Sequence, residues 1–263
     1  HVFLQDTTDE QIASALIAAI ETPDNQDAYR KDLLQYFDVD GSFQVLLMTC
    51  EGLDSMDTVE RKKLSYRIQV YLEDITHNGS FFYYNSDFVL VANALSEEYL
   101  CRLVEGAIKR GKRRMPGLQL CVGIGSRCMD ISQLSVSYQR AKAAAHIAMT
   151  QKKQVVKFDD CGLFRLLYMV EDKEILKEME TECLAELEEY DRRYHAGYVE
   201  TLQSYLKHNG SIQAVAAELY THRNTVLYRI GNIRKILGNE LKTPEERLPY
   251  QIAFYIRNMH GQI

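Results

Sequence analysis

The sequence predicts an α+β protein: a ferredoxin-like, palm-type sheet domain followed by an all-α helix-turn-helix domain. Three observations carry this. Between residues 42 and 158 the apolar patterning runs β-α-β-β-α-β and then α-β, the order of a split βαβ plan. Near residue 220, two helical patterns are separated by a three-residue turn. The charge is also unevenly distributed. From residue 198 to 263 there are eight Lys and Arg against five acids, a net +3 on a chain of net −6, so the remainder carries −9. A basic end on an acidic body is the asymmetry expected when one end meets a polyanion.

The chain has 263 residues, 46% of them hydrophobic and 26% charged, enough to bury a sizeable core and too apolar for a disordered protein. No apolar run reaches the ~20 residues of a bilayer-spanning helix. The stretch 12–20 is short and follows acidic rather than basic residues, so it is not a secretion signal. A membrane or secreted protein is disfavoured and a cytoplasmic one expected. Cys50, Cys101, Cys121, Cys128, Cys161 and Cys183 form no C-x-x-C pair and have no His at zinc-finger spacing, so they read as scattered reduced thiols, with no metal site. The chain opens at His1 instead of Met, as expected of a piece of a longer protein.

Four segments are expected: a helical N-terminal segment (1–38), the sheet domain (39–162), a helical acidic connector (163–197) and the helix-turn-helix domain (198–263). The first has amphipathic patterns over 9–21 and 24–37. In the second, SFQVLLMTC (42–50) is a short apolar run bounded by Asp40-Gly41 and Gly52, hence a buried strand. Residues 57–75 have helical apolar spacing. The β-rich segments 80–84 and 88–93 are joined by Asn85-Ser86-Asp87, which predicts a hairpin. A helix over 97–113 starts behind Ser96 as N-cap and stops at Met115-Pro116-Gly117. LQLCVGIGS (118–126) is a second buried strand, 131–151 an Ala-rich helix, and 155–158 a last short strand. The glycines of 122–126 match no phosphate-loop motif; they suit a strand packed closely on a helix.

A sheet of this plan does nucleotidyl chemistry only with carboxylates at the end of its first strand and in its central hairpin, where they can hold Mg²⁺. Those places hold Thr49-Cys50-Glu51 and Asn85-Ser86-Asp87-Phe88. Glu51 and Asp87 are a minimal acidic pair without the glycines that admit a nucleotide. A structural role and a vestigial nucleotide site both stay open. The R-x-x-D string at Arg127–Asp130 follows a different strand from the one an inhibitory site would use, and reads as chance.

In the connector, Leu184 and Leu187 form a face that can dock on a neighbouring helix. A helix over 198–207 stops at Asn209-Gly210. Ser211 caps a short Ala-rich helix over 212–219, Tyr220-Thr221-His222 make the turn, and a third helix runs over 223–237 to Gly238. Counting Ile212 as the first of twenty motif positions puts Ala216, Leu219, Val226 and Ile230 at the small or apolar sites; Tyr220 stands at the ninth, where Gly is usual. At ~100° per residue, Val226, Ile230, Ile233 and Leu237 form a narrow core stripe. Asn224, Tyr228, Gly231 and Lys235 lie opposite, with Thr225 and Asn232 to one flank, and no acid occurs from 220 to 239. Such a face suits a major groove: Asn can bond adenine, Thr and Tyr meet bases or phosphates, and Lys neutralises the backbone. The candidate DNA contacts are Thr221, His222, Arg223, Asn224, Thr225, Tyr228, Arg229, Asn232 and Lys235. Arg223 and Arg229 lie nearer the core stripe, where phosphate contact or a structural ion pair suits them; His222 suits either a phosphate contact or a helix cap.

ELEEYD (186–191), TLQSYLKHNGS and AAELYTHRNTVLYRIGNI, with H-R-N-T-V-x-Y-R-I complete at 222–230, resemble the C-terminal helix-turn-helix of the PucR/CdaR bacterial transcriptional regulators. The sheet domain resembles a degenerate GGDEF-like domain, with NSDF where the glycines and acids of a diguanylate cyclase would stand. The resemblance implies a DNA-binding regulator without enzymatic activity or cofactor, controlling a catabolic or secondary-metabolism operon such as polyketide synthase expression. Its partners would be double-stranded operator DNA, a second copy in a homodimer, and an effector bound by a sensor region not evident in this sequence. The alternative is a nucleotide-binding remnant or cyclase-like enzyme in the sheet domain.

Overall fold

A computed structural model describes residues 7–71, 78–114 and 119–260. The chain divides into two compact units, His1–Arg165 and Leu166–Ile263.

The first unit begins with helices α1 (Thr7–Glu21) and α2 (Arg30–Leu33). There follow β1 (Phe43–Cys50), α3 (Thr58–Tyr71), β2 (Gly79–Tyr84), β3 (Asp87–Asn93), α4 (Glu97–Arg114), β4 (Leu120–Ile124), α5 (Leu134–Thr150) and β5 (Val155–Lys157). The sheet order is β2-β3-β1-β4-β5, antiparallel except for the β4–β5 pair. This is the split βαβ arrangement with one added edge strand.

The strand at 42–50 reads as a continuous apolar run because both of its faces are covered. Val45 and Leu47 pack under α1, α2 and α5, while Leu46 and Met48 pack under α3 and α4. The 24–37 pattern gives only a short 3₁₀ turn and α2, with Tyr29 and Leu33 fully buried. Ser96 Oγ accepts from the Tyr99 amide and so caps α4. The expected stop at 115–117 and the far end of the 57–75 helix fall outside the described residues.

Glycine packing explains the contact of β4 with α5. A Cβ on Gly123 would stand 2.2 Å from the Ala141 carbonyl oxygen, and one on Gly125 would stand 2.1 Å from that of Ser137. These glycines let a strand lie against helix backbone, and Ala141, Ala144, Ala145 and Ala148 on α5 complete the close approach.

The second unit is all helical: α6 (Phe164–Met169), which straddles the division, then α7 (Lys173–Tyr194), α8 (Tyr198–Lys207), α9 (Ile212–Glu218), α10 (Arg223–Leu237) and α11 (Pro244–His260). Its core joins Leu184 and Leu187 of α7 to Leu202, Tyr205, Val215, Val226, Ile230, Ile233, Ala253 and Phe254. The expected edges at 38/39 and 197/198 therefore do not separate cores. The N-terminal helices belong to the sheet's core, and the connector helix belongs to the helix-turn-helix core. Arg257 of α11 fastens to α7 through Glu180 at 2.9 Å and Glu188 at 2.6 Å. Among the described residues no helix is long and apolar enough to cross a membrane.

Candidate nucleic-acid interface

In the sheet unit, Glu51 lies in an exposed turn behind β1, and Asp87 opens β3 paired with Tyr84. The hairpin loop is therefore two residues, Asn85 and Ser86, rather than the three expected from sequence. Both have positive φ, 47° and 68°, as a type I′ turn requires. Asp87 acts on Tyr138, whose hydroxyl is pushed up to about 12 by burial first and by this carboxylate second. Among the described residues, no three His, Cys, Asp or Glu side chains gather as a metal set. Arg127 and Asp130 are engaged in holding loops. The guanidinium donates to the Leu95 carbonyl, and the carboxylate caps the turn at Ser132 and faces Arg30 at 3.6 Å.

The helical unit presents one face of α10 outward, and each boundary of the motif has a local cause. Asp191, at the end of ELEEYD, accepts from the Tyr198 amide at 2.8 Å and the Val199 amide at 2.9 Å, capping α8 from the preceding helix. Tyr190 stacks on Tyr198 with ring centroids 5.0 Å apart. The sequence pattern alone assigned these residues no role. Their signal was the carboxylate and aromatic standing just ahead of a helix start. Glu218 at the end of α9 reaches back to α8, where it accepts from Ser204 and Lys207 and meets His208 Nε2 at 2.9 Å. Lys207 first, then Ser204, hold its carboxyl down to about 2. Ser211 Oγ caps α9, and Gly238, at φ 58°, ends α10.

The turn between α9 and α10 places Tyr220 at φ 49° with 98% of its surface exposed. The ninth motif position thus demands the left-handed backbone that glycine supplies, and here a tyrosine adopts it. His222 Nδ1 accepts from the Asn224 amide at 3.2 Å, so of the two roles open to it the capping one is made.

On α10, Val226, Ile230 and Ile233 are fully buried. Arg223, Asn224, Thr225, Tyr228 and Lys235 are exposed, and Thr221 is half-buried. Two of the nine candidates depart from this group. Arg229 turns inward and donates to Thr201 Oγ1 at 3.2 Å, and the Asn232 amide donates to the Tyr198 hydroxyl at 2.9 Å. Both tie α10 to α8: the long Arg229 side chain reaches across to α8, and Tyr198 of α8 brings its hydroxyl to the shorter Asn232. The nearby carboxylate of Glu218 is engaged by Lys207 and His208.

Fold and site together define a helix-turn-helix protein with a palm-type sheet unit ahead of its helical unit. Two family models match: the GGDEF-like domain over residues 14–147 and the PucR C-terminal helix-turn-helix domain over 198–256. The chain belongs to the PucR-type family that joins these two domains. It is 26% identical over 155 residues to the DNA-binding transcriptional activator AdeR of Bacillus subtilis, covering 57% of this chain and 36% of AdeR. It is 30% identical over 123 residues to the proline-responsive transcriptional activator PutR of the same organism, covering 46% of this chain and 30% of PutR. With that organism's purine catabolism regulatory protein it shares 28% identity over 141 residues, 52% of this chain and 26% of the relative. The match thus spans little more than a third of these relatives at most. A crystal structure of a regulator of polyketide synthase expression from Bifidobacterium adolescentis covers 98% of this chain at 18% identity, with a TM-score of 0.37, too low to establish a shared overall arrangement.

Proposed function

We propose that this chain is the DNA-binding part of a cytoplasmic transcriptional regulator, which reads operator DNA by placing α10 in the major groove. The observation that carries the reading is the exposed face of α10. Asn224, Thr225, Tyr228 and Lys235 stand outward on a helix whose opposite face is locked into the core, and no acid occurs from residue 220 to 239. Arg223 and Thr221 at the helix start, with the ring edge of His222 turned away from its capping bond, supply phosphate contacts. Asn224 and Thr225 supply base contacts, and Tyr228 and Lys235 reach the sugar–phosphate backbone.

One recognition helix covers only a few base pairs, so useful affinity calls for two copies on a two-fold site, and the working form is a homodimer. The relatives answer to proline or govern purine catabolism. By analogy this chain serves a catabolic or secondary-metabolism operon, under the control of a small-molecule effector. In this reading the sheet unit is a non-catalytic spacer, because the hairpin corner carries the side chains of Asn85 and Ser86 where a nucleotide would need open backbone.

The test is fluorescence anisotropy of the purified chain on a duplex carrying its own promoter, against a scrambled duplex, at several salt concentrations. Sequence-dependent binding whose logarithm falls linearly with log salt is expected. Equal weak binding to both duplexes would refute the reading. Incubation with Mg²⁺ and GTP is expected to give no product, and turnover would overturn the spacer assignment.

A further inference from the structure

Gly231 lies in the middle of α10, where glycine is the least favourable residue short of proline because its unfolded backbone has the most freedom to lose. Several other glycines among the described residues have an internal reason, although Gly106 inside α4 has neither a positive φ nor backbone against it. Gly123 and Gly125 admit helix backbone, and Gly210 and Gly238 take positive φ at helix ends. Neither reason applies at Gly231. A Cβ built there would meet nothing within 4 Å, and its φ is not among the positive ones. Neither packing nor backbone conformation within the chain thus requires that the side chain be missing.

The position of the gap is informative. Gly231 shares the exposed face of α10 with Asn224, Tyr228 and Lys235, three residues after the tyrosine and four before the lysine, so these two side chains flank it along the face. Tyr228 is 69% exposed and Lys235 is also exposed. A phenol hydroxyl and an ammonium on either side of bare helix backbone offer two donors and no acid. The DNA group matching that set is a phosphodiester, whose oxygens accept only.

Resting on the DNA-binding reading above, we infer that Gly231 is the point where the sugar–phosphate backbone of duplex DNA comes closest to α10, seated in the gap between Tyr228 and Lys235. The missing Cβ lets the helix lie deeper than any other residue would allow, at the expense of helix stability. Gly231 is a positioning residue: it makes no hydrogen bond of its own to a base.

The experiment compares Gly231→Ala with the parent chain in thermal melting and in anisotropy titrations on the promoter and scrambled duplexes. The parent is expected to bind, the variant to melt about 4 °C higher, and its affinity to fall about tenfold on both duplexes alike. Unchanged affinity would overturn the inference, as would a loss confined to the promoter duplex, which would place a base edge at the gap. A variant that melts no higher would remove the premise that glycine is unfavourable there. Asn224→Ala, titrated in parallel, separates the two levels of the claim. If it weakens promoter binding while Gly231→Ala leaves both duplexes bound as before, the DNA-binding reading stands and this inference falls. If the parent binds neither duplex, both fall.

Discussion

The carboxylate of Asp191 caps a helix to which it does not belong, accepting from the amides of Tyr198 and Val199 across the α7–α8 corner. Gly197, the residue at the actual N-cap position, has no side chain to do this and takes φ 68°. Asp191 therefore sets the angle at which α8 leaves α7. Asp191→Ala leaves two amides of the first turn without this acceptor and is expected to destabilise the helical unit by about 1 kcal/mol. Asp191→Asn should lose less, since it keeps one acceptor oxygen. Urea unfolding followed by tyrosine fluorescence would rank the three proteins.

Gly123 tests the other unit. A methyl group there would lie 2.1 Å from the Ala145 amide nitrogen and 2.2 Å from the Ala141 carbonyl oxygen, which are helix backbone and cannot rotate aside. Gly123→Ala must push β4 and α5 apart, which is expected to cost about 3 kcal/mol or more. Equilibrium unfolding of the sheet unit would show this as a lower midpoint, and an unchanged midpoint would show that the two elements yield easily.

These two cases show what could be read from the chain and what could not. The succession of strands and helices along the chain, the hairpin and the helix-turn-helix were legible because period-2 and period-3.6 patterning reports which faces are buried. The 42–50 run could be called buried on both sides for the same reason. Contacts that depend on three-dimensional reach were not legible. The charge count assigned eight basic residues to a polyanion-facing end, yet Arg257 pairs with Glu180 and Glu188, Lys207 with Glu218, and Arg247 donates to the carbonyls of Leu241, Lys242 and Asn209. Arg223 and Lys235 are the basic residues exposed on α10. A helical wheel gives direction but not the length at which Arg229 finds Thr201.

Tyr220 pairs a left-handed backbone with an almost wholly exposed ring, so packing returns little for the conformation. Tyr220→Gly is expected to stabilise the helical unit by about 1 kcal/mol, raising its melting temperature by about 4 °C or more. Tyr220→Ala should do much less, because Ala retains the Cβ that disfavours this region. Equal effects of the two substitutions would place the ring rather than the backbone at the origin of the change.

Glu218 gives the α8–α9 contact a pH dependence whose sign follows from its shift. Lys207, Ser204 and His208 hold the folded carboxyl at about 2, below the ordinary value of about 4.3. The unfolded chain therefore binds this proton more readily than the folded one. The clamp's contribution is complete above the unfolded value and is lost as pH falls from there toward 2. Glu218→Gln should lower the melting temperature at pH 7, and the gap from the parent should close between pH 5 and pH 2. A gap that persists at pH 2 would mean that shape, not charge, holds the corner.

Arg229 lies beside the recognition face and is charged, yet its guanidinium is directed at Thr201. Arg229→Ala and a phosphate-contact variant such as Lys235→Ala should therefore weaken DNA binding in different ways. Removing a phosphate contact releases one fewer counterion, so Lys235→Ala should reduce the slope of log affinity against log salt by about 1. Arg229→Ala removes a tie between α10 and α8 and is expected to cost about 1 kcal/mol of stability. It should leave the salt slope of the folded fraction unchanged. Salt titrations of both variants, with unfolding curves measured alongside, distinguish the two roles. A reduced slope for Arg229→Ala would return that residue to the phosphate-contacting set, because a side chain that only braces the helix releases no counterions.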